Sequence, residues 1–198
     1  MKKFLVAMLA ITMVFAMCAC GEKKEEEPTG VANPVVECTY DELIENGCVD
    51  IKAPDNATEV KYSYIQVEGE EPISQVTFEL DDEEFCYRAQ PTGATSIMAG
   101  IEDDGFVNAE SITDAIESGI NVGATLSGLH YDWKTFASVD VQYCEGICAW
   151  NEDEAGFIAW LDVAPGIVYS LGMDDDCEQD LLMNTAEAIF VPVQGNVG

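Results

Sequence analysis

His130 is the only histidine in the chain, so any Ser–His or Cys–His nucleophilic pair must use it. It lies in Leu129-His-Tyr-Asp-Trp-Lys134, an alternating stretch that predicts a strand. A histidine there can pack or face solvent with no catalytic role. Acidic side chains are abundant: 38 Asp and Glu against 8 Lys and Arg. Paired carboxylates could hydrolyse a glycosidic bond, but with so many acids a pair arises anywhere by chance. Calcium has better-placed hard oxygens, in Asn151-Glu-Asp153-Glu154 and in Asp174-Asp-Asp176. Asp153, Asp174 and Asp176 are the candidate ligands. Neither run has the spaced pattern of a twelve-residue calcium loop. The plainer reading is a solvated turn and a helix N-terminus, where a macrodipole favours negative charge. Zinc would need four ligands, and Cys144 with Cys148 supplies only two. No glycine-rich phosphate loop ends in Lys-Ser or Lys-Thr.

Arg88 is the sole arginine. It could neutralise neighbouring carboxylates on a sheet or hold an anionic ligand. Trp133, Trp150, Trp160 and Tyr169 either build a core or line a groove for a lipid or peptide. Arg88, Trp133, Trp160 and Tyr169 are therefore the candidate ligand-binding residues. Cys144-Glu-Gly-Ile-Cys148 is the candidate local disulfide, with a turn at Gly146 bringing its ends together. Cys38 and Cys48 bracket a predicted helix of about 12 Å, too long for bridged Cα atoms within about 7 Å.

The elements that must position these residues begin after a leader. Met1, Lys2 and Lys3 precede an apolar run from Phe4 to Met17. That run suits a secretory signal and is short for a membrane span. It ends in Met17-Cys18-Ala19-Cys20-Gly21, which resembles a bacterial lipoprotein signal. The resemblance implies lipidation of Cys20, cleavage of residues 1–19, and anchoring on the extracytoplasmic face of the cell membrane. Residues 20–33, with Glu22-Lys-Lys-Glu-Glu-Glu27, form an acidic spacer with little to bury. Cleavage removes Lys2 and Lys3 and no acid, leaving 38 acids against six bases. Such a surface repels phosphates, which argues against a nucleic-acid partner.

Residues 34–198 read as one α+β domain. It should be mainly antiparallel sheet, with a short N-terminal helix and a C-terminal helix packed on one face. Thr39-Tyr-Asp-Glu42 is a capping box, and Gly47 stops its helix. Strands are expected near 49–51, 61–67, 73–80, 84–88, 129–134, 138–143 and 147–150. Residues 91–125 hold five glycines and read as a helical excursion, with a short helix from Ser111 to Gly119. Pro165 and Gly166 predict a type II turn between strands 157–163 and 167–172. Both faces of this hairpin are apolar, which places it centrally in the sheet. Cys177, Leu181, Leu182, Ala186, Ile189 and Phe190 fall at helical spacing. Trp160 is expected to pack between the sheet and this last helix.

The chain also resembles uncharacterised domains in surface lipoproteins of Gram-positive gut anaerobes. The matching residues are Asn33-Pro34, Tyr87-Arg88, Leu126-Ser-Gly-Leu129 with Trp133, Trp160-Leu-Asp162, Pro165-Gly166, Tyr169-Ser-Leu171 and Ala186-Glu-Ala-Ile189. The likeness carries no known activity or cofactor. The favoured reading of the whole sequence is a non-enzymatic, lipid-anchored module that binds or senses a small molecule or peptide. An extracellular hydrolase using paired carboxylates is the competing reading; a cleft with two facing acids would favour it.

Overall fold

The computed structural model describes residues 34–97, 109–152 and 154–193. The expected signal peptide, Cys20 and spacer, and the candidate ligand Asp153, lie outside the described residues. Eight strands form one antiparallel sheet in the order β1-β2-β3-β4-β8-β7-β6-β5. Strands β1 (Val35–Cys38), β2 (Thr58–Ile65), β3 (Ile73–Leu80) and β4 (Glu83–Pro91) make one meander. Strands β5 (Thr135–Val141), β6 (Cys144–Trp150), β7 (Gly156–Asp162) and β8 (Ile167–Met173) make the other. The two join where β4 pairs with β8, Tyr87 opposite Leu171 and Ala89 opposite Tyr169.

Every residue of β7 is buried, as its apolar pattern on both faces predicts. The β7–β8 turn closes one residue earlier than expected, with the Gly166 N–H donating to the Val163 carbonyl. Gly166 takes the positive φ foreseen for it, +67°. Its carbonyl in turn accepts from the N–H groups of Thr92 and Gly93, tying the end of β4 to the hairpin.

Helix α1 (Tyr40–Glu45) carries the predicted capping box: Thr39 Oγ1 accepts from the Glu42 N–H, and the Glu42 carboxylate accepts from the Thr39 N–H at 2.8 Å. Helix α3 (Gln179–Ile189) buries Leu182, Thr185 and Ala186. Leu43 of α1, Ile51 and α3 cover one face of the sheet, over Val76, Phe78, Phe85, Tyr87, Ile158, Trp160 and Leu171. Helix α2 (Ala109–Ser127) covers the other face, over Ile147, Ala149, Phe157, Ala159, Leu161 and Val168. The fold is thus α+β, as expected, with helices on both faces.

Four local expectations are corrected. Residues 129–134 are a loop, because Asn151 satisfies their backbone with its side chain: its Oδ1 accepts from the Lys134 N–H at 2.9 Å. Residues 49–51 cross the sheet face instead of pairing as a strand, and the Val49 N–H donates to Ser74 Oγ. The turn placed at Gly146 falls at Gln142 and Tyr143, both at positive φ (49° and 71°), as a two-residue hairpin loop of the favoured twist requires. Cys144 and Cys148 consequently share strand β6. Four steps of extended chain separate them by roughly 13 Å, so the local disulfide cannot form, and both are free thiols.

Candidate functional site

The sheet separates the four candidate ligand-binding residues. Side chains alternate along a strand, so Trp160 and Tyr169 face α3, while Arg88 and Trp133 lie on the α2 side. Trp160 is fully buried. Its ring stacks on Tyr169 at 5.6 Å and on Tyr87 at 5.9 Å, and meets Phe190 edge-on at 5.3 Å. These rings fill the core under α3, as the hairpin argument required for Trp160. Burial pushes the Tyr169 hydroxyl up to about 12, and the Asp162 carboxylate adds to the shift. Trp133 packs edge-on against Phe157 at 5.2 Å, at the margin of the second core.

Arg88 has a structural task that its sequence context does not reveal. Its Nε donates to Gln75 Oε1 at 2.7 Å, and Gln75 Nε2 donates to Ser63 Oγ at 2.9 Å. Its Nη1 donates to the Leu126 carbonyl in the last turn of α2, at 2.9 Å. A cation there satisfies an orphan carbonyl and the negative end of the helix dipole. Gly128 follows at φ +76°, and a Cβ at that position would come within 2.6 Å of Arg88 Nη1. The only arginine thus fixes where α2 ends. Among the described residues the one salt bridge is Lys52–Asp50, so Arg88 does not neutralise a carboxylate as expected.

Where α2 is held off the β3–β4–β8 part of the sheet, a groove of about 540 Å³ opens. Its floor is Ile73, Val168 and Leu126, and its rim carries Gln90, Thr92, Glu117, Ser118, Asn121, Val122 and Thr125. Gln90 is opposite Val168 across β4 and β8, and Ile73 stands at the start of β3, next to Ser74, which is opposite Ala89. On its other side the same stretch of helix is close-packed at Gly123, where a Cβ would run into the buried Phe157 ring. The groove therefore combines an apolar floor with amide and hydroxyl groups. Its volume falls in the range of small-ligand sites, and its lining side chains are more polar than theirs.

Other candidate chemistry is not assembled. The groove lining has a single carboxylate, Glu117, so no facing acid pair of the glycosidase kind lines the groove. His130 is exposed in the loop after α2. The Asp174 carboxylate accepts a hydrogen bond from the Tyr131 hydroxyl. That bond, then burial, raises the Tyr131 phenol to about 12. Asp176 is exposed at φ 44°. Among the described residues no three carboxylate, thiol or imidazole side chains converge to hold a metal ion. No described helix is long and apolar enough to cross a membrane.

The groove was not legible in the sequence. Its wall comes from residues 117–126, where the sequence predicts a helix only as far as Gly119, and its floor from Leu126 and two strands far apart in the chain. The one available signal was apolar Ile73 and Val168 at strand ends beside polar Gln90 and Thr92. Comparison with protein-family models, curated proteins and solved structures finds no match to this chain.

Proposed function

We propose that the chain is a lipid-anchored extracytoplasmic lipoprotein whose domain is a non-enzymatic binding or sensing module, with the groove beside α2 as its ligand site. The observation that carries the binding site is the groove's mixed lining. Gln90, Asn121, Thr92, Ser118 and Thr125 offer amide and hydroxyl partners above Ile73, Leu126 and Val168. This pattern suits a short neutral or cationic peptide. Main-chain amides would meet the polar rim, and small apolar side chains would meet the floor. A single carboxylate and no basic group in the lining disfavour an anion. No aromatic ring lines the groove, so a ligand that needs a stacking platform is disfavoured too. The anchor rests on the signal-like residues 1–20, with Cys20 as the lipidated position.

Two measurements test the reading. Cys20→Ala should release the protein from washed membranes or block its maturation, and Cys18→Ala should not; equal retention of both variants would remove the anchor. Neutral tripeptides with blocked termini should raise the melting temperature of the chain, and Val122→Trp, which fills the groove from an exposed helix position, should abolish the rise. A rise undiminished in Val122→Trp would move the site elsewhere.

A further inference from the structure

We propose that Cys148 and Cys177 are a redox pair, closing into a disulfide when the chain folds in an oxidising compartment. All six cysteines from Cys38 onward are free thiols in this structure. Cys148 is fully buried and Cys177 is 4% exposed, both in the core under α3. Their placement is specific. Cys148 lies opposite Ile158, and its strand neighbour Trp150 lies opposite Gly156. Gly156 and Cys148 are therefore diagonal neighbours on the same sheet face. The Cys177 sulfur occupies the space where a Cβ on Gly156 would stand. The glycine that opens β7 thus leaves a seat for this sulfur beside Cys148. The backbone fixes the approach, since the Cys177 N–H donates to the Glu154 carbonyl at 2.9 Å. Burial raises both thiols to about 12; the neighbouring Cys177 adds to the rise at Cys148, and Glu178 adds to it at Cys177.

Closure would pin the entrance of α3 to β6 across a loop of roughly 30 residues. Thiols raised this far react poorly once buried, so exchange belongs to the folding chain. One cysteine thiolate attacks the sulfur–sulfur bond of a small disulfide and releases one reduced thiol. The second thiolate displaces the remaining half as another reduced thiol, forming the bridge. Two protein thiols and one small disulfide thus become one protein disulfide and two small thiols. Proteins placed outside the cytoplasm meet such oxidants. That placement is taken from the lipoprotein reading above, and the experiment supplies the oxidant independently.

The test refolds the purified chain with glutathione disulfide or with dithiothreitol. Cleavage after glutamate puts Cys144, Cys148 and Cys177 on separate peptides, cut at Glu145, Glu152, Glu154 and Glu178. The oxidised sample should yield the Cys148 peptide joined to the Cys177 peptide. Its melting temperature should exceed that of the reduced sample by roughly 10 °C, and Cys177→Ser should remove both effects. Recovery of Cys148 and Cys177 as separate alkylated peptides, or joined to other cysteines, overturns the pair. The peptide map of the unaltered chain decides the matter even if Cys177→Ser folds poorly. A bridge in vitro with free thiols in cells would uphold the pair and overturn the extracytoplasmic placement.

Discussion

At the scale of single residues, Trp160 and Arg88 show how far side-chain type alone can be read. Trp160 shares a strand face with Ile158 and precedes an amphipathic helix, and that pattern placed it correctly between sheet and helix. Removing it should be costly. Truncating a large buried aromatic to alanine typically loses about 3–5 kcal/mol, against a total stability of roughly 5–15. Trp160→Ala should unfold the domain or lower its melting temperature by many degrees in circular dichroism. A variant that melts normally yet loses ligand would return Trp160 to the binding residues. Arg88 could not be read this way, because its partners are the Leu126 carbonyl and Gln75, set by the packing of α2 and by strand register.

Tyr131 offers a second residue-scale test. Its folded phenol titrates at about 12, first because it donates to Asp174 and then because of burial. The ordinary value is about 10, so the fold favours the protonated form. The stability linked to it is fully present below about pH 10 and is lost as the pH rises through about 12. Asp174→Asn should bring the phenol back toward 10, read as the rise of tyrosinate absorbance in an alkaline titration of the folded chain. An unchanged titration curve would mean that Asp174 does not hold the proton.

At the scale of elements, strands with strict alternation were legible and close packing was not. Strand β3 falls at residues 73–80 as predicted, and the β7–β8 hairpin is within a residue at each end. β1 was missed because four residues carry too little pattern. The sequence predicts only a short helix in α2, because Gly119 and Gly123 look like breakers. Both are buried inside it, and at Gly123 the helix needs a missing side chain to approach Phe157. Gly123→Ala sets two effects against each other. Alanine gains about 1 kcal/mol of helix propensity, while overpacking a filled core costs typically 1–3 kcal/mol. Phe157 is fully buried and braced by Trp133, so the clash should win. A melting temperature lower by several degrees is expected, and a higher one would show that α2 can move off the sheet without loss.

At the scale of the whole molecule, one sheet serves two faces with different work. The α3 face is a closed aromatic core. The α2 face is close-packed at Gly123 and opens at the other side of the helix into the groove. The fold class followed from alternation, turn chemistry and one amphipathic helix. The groove depends on where α2 comes to rest, which no local pattern encodes. Strong acidity bears on long-range electrostatics rather than on the fold: a chain of formal charge −30 repels anions.

The most direct test of the account is to see where a peptide-like probe lands on the isotope-labelled chain. N-acetyl-trialanine amide would be titrated in while backbone amide resonances are followed by nuclear magnetic resonance. The account predicts saturable shifts clustered at Ile73, Gln90, Thr92, Asn121, Thr125 and Val168, with Trp160, Tyr169 and Phe190 unmoved. Shifts centred on those three aromatic residues, or scattered over the surface without saturation, would contradict it.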